Sequence, residues 1–177
     1  MKKKFETFTK NLLKWNKTHK LTNYNEEEIK KQIEDSLYPL QFLELENLKT
    51  AIDIGTGAGF PGLILAIAMP NTKWYLVEPL KKRYSFLNYM KILLNLNNVE
   101  IVPKRIEQTN LEKVDLITSR AVMKTKDLIK LSKPFLKKNG TILLYKGSNA
   151  KNELEGIKAE IIQNNNRNYV FIKESDV

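Results

Sequence analysis

A short apolar strand that runs into three alternating glycines and a helix start most limits how this 177-residue chain can fold. The segment Ala51–Gly62 reads Ala-Ile-Asp-Ile-Gly-Thr-Gly-Ala-Gly-Phe-Pro-Gly. Gly55, Gly57 and Gly59 let the backbone turn tightly and approach a ligand, because no Cβ atom intervenes. The helix that follows offers unpaired N–H groups and the positive end of its dipole. This pattern predicts a ligand-binding loop between a buried strand and a helix.

The glycines alone leave two ligand classes open. The spacing Gly57-x-Gly59-x-x-Gly62 also fits the fingerprint of dinucleotide-binding loops, which would make the protein an NAD(P)-dependent oxidoreductase. Asp53 argues against that reading, because a carboxylate two residues before the first glycine would repel a pyrophosphate. It favours a ligand with a positive end, such as the amino group of S-adenosylmethionine. A non-catalytic RNA-binding module on the same fold is a third hypothesis.

From residue 50 onward the chain alternates strands and helices. The predicted strands cover 51–54, 74–78, 99–102, 114–119, 141–146 and 169–173. The predicted helices between them cover 61–69, 79–96, 126–135 and 151–161, with Asn139-Gly140 ending the third as a C-cap. Such repeats predict an α/β fold, a parallel sheet covered on both faces with right-handed crossovers. Its ligand should lie beyond the carboxyl ends of the strands.

Two amphipathic helices precede the sheet. Residues 5–20 carry apolar residues on one face and lysines on the other, and residues 26–43 follow an Asn25 N-cap with an acidic first turn. Pro39 is expected to kink or end the second helix. We expect residues 1–48 to pack on the sheet as a helical extension of one domain that spans residues 1–177.

The distribution of charge favours a nucleic-acid partner. The net charge is +10, residues 1–20 hold seven lysines against Glu6, and residues 113–151 hold ten basic residues against two acids. Solvated lysine faces without a partner are the alternative. The chain has no cysteine, which excludes disulfides, thiolate nucleophiles and Cys-ligated metals. With no signal peptide and no long apolar run, we expect a cytoplasmic protein with no membrane partner.

Three polar residues fall at predicted strand ends. Glu78 can accept hydrogen bonds from both ribose hydroxyls of an adenosine ligand, and Arg120 can hold a carboxylate or a phosphate in a bidentate way. Lys146 can steady an RNA phosphate. Each has a plain alternative as a solvated or capping side chain. Arg120 and Lys146 are therefore candidates for positioning the substrate rather than for acid–base work.

Histidine chemistry and metal chemistry find little support in the sequence. His19 is the single histidine, and it lies in a lysine-rich segment away from the strand ends. Neither a Ser-His-Asp set nor a metal cluster is expected. Tyr169 and Lys173 would stand about 13 Å apart along a strand, which is too far for a hydride-transfer pair. A site without such a base suits methylation of guanine nitrogen-7, whose ring lone pair is free.

Several separated motifs over about residues 10–150 resemble one family. They are Trp15-Asn-Lys, Asp35-Ser-Leu, Asp53–Gly62, Lys82-Arg83 with Phe86-Leu87, Ile106-Glu107, Thr118-Ser-Arg-Ala121 and Lys146-Gly147. This pattern resembles the bacterial small-subunit rRNA guanine-N7 methyltransferases, the RsmG or GidB family. The Gly-Phe-Pro-Gly end of the loop and the Ser-Arg-Ala run are more specific than glycines alone.

The resemblance implies a Rossmann-like class I S-adenosylmethionine-dependent methyltransferase sheet with N-terminal helices. It implies methyl transfer from S-adenosylmethionine to nitrogen-7 of one guanine in 16S rRNA, with the rRNA or the 30S subunit as partner. We expect the protein to be a monomer. Its cofactor positions map to Gly55, Phe60, Ile106, Glu107 and Arg120. Phe60 would contact the methionine part of the cofactor, and Ile106 would pack beside the adenine. Glu107 or a nearby backbone group would accept a hydrogen bond from the adenine amino group.

The chain departs from the family pattern at two places. The second predicted strand ends in Glu78-Pro79, where the family often has Asp-Ser, so the ribose site is expected to differ in shape. The C-terminus is short for the family, and we expect its last two strands to be trimmed or rearranged.

Overall fold

The structure is a computed structural model that describes residues 1–120 and 122–177. Ala121, the last residue of the Ser-Arg-Ala motif, lies outside the described residues. The described strands are β1 (Thr50–Ile54), β2 (Lys73–Val77), β3 (Val99–Val102), β4 (Val114–Arg120), β5 (Leu136–Lys146), β6 (Glu160–Asn164) and β7 (Arg167–Lys173). The described α-helices are α1 (Lys2–His19), α2 (Glu26–Leu37), α3 (Gly62–Ala68), α4 (Lys81–Leu93), α5 (Thr125–Ser132) and α6 (Ala150–Glu153).

These strands form one sheet in the order β3-β2-β1-β4-β5-β7-β6. Strands β1 to β5 pair in parallel, as the alternating pattern predicts. Strand β7 is antiparallel to β5 and to β6, so the prediction of a wholly parallel sheet is wrong at this edge. The direction of winding reverses between β1 and β4, and the carboxyl ends of these neighbours open a crevice there.

Both faces of the sheet are covered, as predicted. One face buries Trp74 and Leu76 against residues of the first four helices, among them Phe8 and Phe86. The other face packs against α5 and the segment around α6. Burial on both faces is the reason that the central strands read as nearly continuous apolar runs.

Two predictions about residues 136–164 are wrong. Asn139-Gly140 does not cap a helix: it lies within β5, where the pairing with β4 shifts register between Val114 and Leu116. Asn139 has φ +66°, and asparagine tolerates this left-handed conformation in a bulge as well as at a helix end. The helix expected over 151–161 is a single turn, α6, followed by β6, because Ile161 and Ile162 join a hairpin with β7.

The N-terminal helices pack on the sheet through apolar side chains. Phe8 and Leu12 of α1, and Ile29 and Ile33 of α2, are buried in the same cluster as the sheet residues. The Asn25 side chain caps α2, as predicted, in a reciprocal capping box with Glu28. The helix ends at Leu37 rather than at residue 43, and Pro39 lies in the 3₁₀ turn that follows. None of the described helices is long and apolar enough to cross a bilayer.

Candidate functional site

A cavity of about 600 Å³ lies at the carboxyl ends of the parallel strands. The segments that follow β1, β2 and β3 contribute to its wall, together with the end of β4 and the linker between α1 and α2. The lining residues are Leu21, Thr22, Asn23, Tyr24, Gly55, Thr56, Gly57, Ala58, Phe60, Glu78, Pro79, Leu80, Arg83, Arg105, Arg120 and Val122. This is the edge at which the sequence places the ligand.

The glycine loop borders the cavity with two backbone positions that favour glycine. Gly55 and Gly57 have φ values of +71° and +60°. A Cβ atom on Gly55 would lie 2.6 Å from Val122 Cγ2, whereas one on Gly57 would meet nothing nearer than the Gly55 carbonyl oxygen at 4.0 Å. A side chain on Gly57, a residue that lines the cavity, would therefore enter open space. Gly59 does not line the cavity, and a Cβ there would lie 3.0 Å from Leu63 Cβ.

Asp53 lies beneath the loop and is fully buried. Its Oδ1 accepts a hydrogen bond from the Thr118 hydroxyl at 2.7 Å, and its Oδ2 accepts one from the Gly62 N–H at 2.9 Å. It is absent from the cavity wall, so the expectation that it faces a ligand's amino group is corrected. Burial raises the pKa of this carboxyl, and the bonds from Thr118 and Gly62 oppose that shift.

The backbone N–H groups at the start of α3 donate hydrogen bonds within the protein rather than to a ligand. Asp53 takes the Gly62 N–H, and the Gly59 carbonyl accepts from the N–H groups of Leu63 and Ile64 at 3.0 and 3.4 Å. The prediction that this helix offers unpaired donors to the ligand is therefore wrong. The alternating glycines bend the loop so that its own carbonyl and the buried carboxylate complete the first turn.

Glu78 follows β2 and lies on the cavity wall with only 2% of its surface exposed. Its Oε2 accepts the Gly57 N–H at 3.0 Å, and its Oε1 accepts the Leu80 N–H at 2.9 Å. Arg83 Nη1 lies 3.6 Å from Oε2. Since each carboxylate oxygen has more than one acceptor site, Glu78 can hold the glycine loop and still accept hydroxyl groups from a ligand.

Arg120 ends β4 and also lines the cavity. Its Nη1 donates to Gln32 Oε1 at 2.6 Å and lies 3.3 Å from Asp35 Oδ2. The centre of its guanidinium stands 5.3 Å from the centroid of the Phe60 ring, within the range of a cation–π contact. Phe60 and Arg120, both predicted as site residues, are therefore brought together on one wall.

Besides Asp53 and Gly59, three further predicted site residues are not part of the cavity. Ile106 is buried in the core on the other face of the sheet, and Glu107 is exposed on the 3₁₀ turn that follows β3. Their neighbour Arg105 lines the cavity instead. Lys146 is nearly buried and donates to Glu153 Oε2 at 2.8 Å, which lowers the pKa of that carboxyl. Its expected place in the same crevice is corrected by this pairing.

The linker between α1 and α2 forms part of the cavity wall, which was not predicted from the sequence. Asn16 Oδ1 accepts the N–H groups of Leu21 and Thr22, both at 3.0 Å, and Asn16 Nδ2 donates to the Thr22 hydroxyl at 3.1 Å. The Tyr24 ring packs edge-on to Phe60 at 6.3 Å. The Trp15-Asn-Lys motif was the available signal, because an asparagine near a helix end is suited to organise the turn that follows.

The comparisons with known proteins agree on the class of protein. The profile of the family described as rRNA small subunit methyltransferase G matches residues 1–176. The chain is 51% identical to a curated ribosomal RNA small subunit methyltransferase G of Campylobacter hominis, over 97% of this chain and 92% of the relative. The corresponding protein of Helicobacter pylori J99 is 44% identical, over 94% of this chain and 93% of the relative.

Solved structures support the fold. A putative S-adenosylmethionine-dependent methyltransferase of Methanococcus maripaludis superimposes with a TM-score of 0.65 at 18% identity, covering 93% of this chain and 90% of that chain. A methyltransferase of Aquifex aeolicus with the same cofactor dependence superimposes with a TM-score of 0.64 at 18% identity, covering 85% of this chain and 99% of that chain. The oxidoreductase and non-catalytic hypotheses find no support among these matches. The chain belongs to the rRNA small subunit methyltransferase G family, as its motifs indicate.

Proposed function

We propose that this protein transfers a methyl group from S-adenosylmethionine to nitrogen-7 of a specific guanine in the 16S rRNA of the small ribosomal subunit. The observation that carries the proposal is the cavity in which the glycine loop, Glu78 and Arg120 meet, in a chain that belongs to an rRNA methyltransferase family. A single domain of residues 1–177, acting as a monomer in the cytoplasm where small subunits are made, is the simplest form of this enzyme.

The residues of the cavity suit S-adenosylmethionine. Its volume of about 600 Å³ lies within the range of small-molecule sites. Gly57 leaves room for close approach to the backbone, and Glu78 offers acceptors for the two ribose hydroxyls. Phe60 supplies an apolar wall, and Arg120 supplies a cation for the carboxylate of the methionine part. Gly55 has no room for a side chain, because a Cβ atom there would clash with Val122.

The proposed chemistry asks the chain for positioning rather than proton transfer. When bound, S-adenosylmethionine supplies an electrophilic methyl group, which guanine nitrogen-7 can accept with its ring lone pair. Because that lone pair carries no proton, no general base is required. This agrees with a cavity that has neither histidine nor cysteine among its described lining residues. The fixed loop, Glu78 and Arg120 hold the reacting groups in register and limit their motion.

The RNA is proposed to approach along the N-terminal helices. Lys10, Lys14 and Lys17 recur on one face of α1 and line a groove of about 1310 Å³ that α2 and α4 border. The C-terminal end of α1 leads into the linker that walls the cavity, and Lys82 at the start of α4 donates to the Lys20 carbonyl at 3.4 Å. A basic face that ends beside the cavity suits a phosphate backbone.

Methyl transfer to ribosomal RNA tests the proposal directly. Small subunits and free 16S rRNA from cells lacking this protein are incubated with methyl-labelled S-adenosylmethionine and purified enzyme, and the labelled nucleotide is mapped. We expect one labelled guanine, methylated at nitrogen-7, and no label in particles from cells that contain the protein. Label on another atom or another RNA would refute the proposed reaction.

A further inference from the structure

The Arg120 guanidinium is held by a helix that precedes the methyltransferase sheet. Gln32 and Asp35 of α2 accept from its Nη1 at 2.6 and 3.3 Å, and its centre lies 5.3 Å from the centroid of the Phe60 ring. Arg120 and Asp35 are both largely buried, with 12% and 14% of their side chains exposed. A guanidinium so enclosed keeps one orientation, since burial removes the competing contacts with water.

Asp35 divides its two carboxylate oxygens between Arg120 and strand β7. Its Oδ2 faces Arg120, whereas its Oδ1 accepts from Arg167 Nε and from the Tyr169 hydroxyl, both at 2.9 Å. Arg167 and Tyr169 belong to β7. The neighbouring Ser36 carbonyl accepts from the Tyr145 hydroxyl at 2.7 Å. One face of α2 therefore joins the last strands of the sheet to the wall of the cavity.

The charges of this cluster leave Arg120 able to bind an anion. Asp35 is shared between the guanidinium groups of Arg120 and Arg167, so its single charge does not neutralise both of them. Only Nη1 of Arg120 donates a hydrogen bond to the residues that the structure describes. No described residue accepts from Nη2 or Nε, so these donors can serve a group in the cavity that Arg120 lines. The contacts from α2 thus orient the guanidinium without occupying all of its hydrogen-bond donors.

We propose that Gln32 and Asp35 are positioning residues for Arg120, through which the N-terminal helices set the affinity for S-adenosylmethionine. This inference rests on the proposed function, because it takes the carboxylate of that cofactor as the group that Arg120 binds. Gln32 supplies the short contact and Asp35 the charge. Without these two residues the guanidinium would be free to rotate away from Phe60. Binding of the cofactor would then have to fix the Arg120 side chain, and this loss of conformational freedom would lower the affinity.

Three variants separate positioning from simple stabilisation. Gln32→Met removes the 2.6 Å contact and leaves every contact of Asp35 in place. Arg167→Gln weakens the contact between Asp35 and β7 and leaves Arg120 untouched. Asp35→Asn affects the contact with Arg120 and the contacts with β7 together. For each purified full-length variant, calorimetry measures the dissociation constant of S-adenosylmethionine, and thermal unfolding measures stability.

We expect Gln32→Met and Asp35→Asn to weaken S-adenosylmethionine binding by about 5- to 20-fold, which is near the lower end of the effect of a hydrogen bond to a charged group, because these residues act through Arg120. Arg167→Gln should lower the melting temperature and leave the dissociation constant unchanged. In an Arg120→Lys background, Gln32→Met should have no further effect on affinity, since the two residues act as a unit.

Two outcomes would overturn the inference. Either Gln32→Met binds as tightly as the parent, or affinity falls in Arg167→Gln in proportion to its stability, which would make the cluster a structural contact only. Failure of the proposed function has a different signature, because the parent protein itself would then show no binding of S-adenosylmethionine.

Discussion

Asp53 and Thr118 are joined across β1 and β4 by a hydrogen bond of 2.7 Å between the threonine hydroxyl and the carboxylate. Both side chains are fully buried. The second carboxylate oxygen holds the Gly62 N–H, so one acidic side chain ties the end of the glycine loop to the strand that ends in Arg120. Asp53 therefore supports both walls of the cavity from beneath, although it is not part of either wall.

We expect Asp53→Asn to lower the free energy of unfolding by about 1–3 kcal/mol, because one buried hydrogen bond loses its acceptor and an amide NH₂ faces another donor. Urea unfolding of parent and variant at neutral pH measures the difference. Asp127→Asn on the exposed face of α5 is the matched control and should change stability by less than about 0.5 kcal/mol. Equal effects of the two substitutions would contradict a supporting role for Asp53.

The same pair predicts a dependence on pH. Burial raises the pKa of Asp53 above its usual 3.8, so the folded protein binds this proton more tightly than the unfolded chain does. The part of the stability that comes from this tighter proton binding is complete below the unfolded pKa and is lost as the pH rises through the folded pKa, whereas the hydrogen bonds that the carboxylate accepts remain. The stability advantage of the parent over Asp53→Asn should shrink over that window. Unfolding curves at a series of pH values measure it, and a growing advantage would contradict the assignment.

A side chain at Gly57 should abolish cofactor binding and leave the fold intact. Gly57→Ala places a methyl group in open space at φ +60°, on the cavity side of the loop. Gly156→Ala is a close control, because Gly156 has φ +78°, has open space around it and lies outside the cavity. Both variants should lose about 1–2 kcal/mol of stability from the left-handed backbone. Calorimetry should show lost S-adenosylmethionine binding only in Gly57→Ala, and unchanged affinity there would remove the loop from the site.

Loss of the Glu78 charge should weaken cofactor binding. Glu78→Gln keeps one acceptor but loses the charge that strengthens hydrogen bonds to ribose hydroxyls, and we expect a loss of roughly 1–3 kcal/mol in binding free energy. Glu100→Gln on β3, which lies outside the cavity, is the control. Titration calorimetry with S-adenosylmethionine measures both. An effect of Glu78→Gln below about 0.3 kcal/mol, the size of an ordinary surface change, would show that Glu78 does not bind the ribose and is only an acidic residue near the start of a helix.

RNA binding should depend strongly on salt through the lysines of α1. Each phosphate contact releases counterions, with a slope near −0.7 per contact on single strands and a steeper one on duplexes. The triple charge reversal of Lys10, Lys14 and Lys17 to glutamate should reduce affinity for 16S rRNA, and lower that slope, without changing S-adenosylmethionine affinity.

The matched control for this triple variant reverses Lys49, Lys73 and Lys113, which lie by the amino ends of β1, β2 and β4, away from the cavity. It makes the same change in net charge. Filter binding over a range of salt concentrations compares the two variants. If both lose affinity equally, net charge alone attracts the RNA; if neither does, the α1 lysines are a solvated face.

Local patterns in the sequence were sufficient for the parallel part of the fold. The strands around Asp53 and Ile117 were predictable because a strand buried on both faces needs a continuous apolar run. The hairpin of β6 and β7 was not predictable in the same way, because the short apolar run at Ile161 and Ile162 fits either a helix or a strand of a hairpin. Only pairing with β7 selected the strand.

The sequence by itself determined the glycine loop, the acid at Glu78 and the arginine at Arg120, because each follows from the spacing of residues around one strand end. Only the tertiary structure decided that Asp53 lies beneath the cavity and that Lys146 pairs with Glu153 outside it. It also brought Asp35 to Arg120 across 85 residues of chain. Contacts of this kind depend on strand order and helix packing, which place distant side chains together for reasons that neither local spacing nor composition contains.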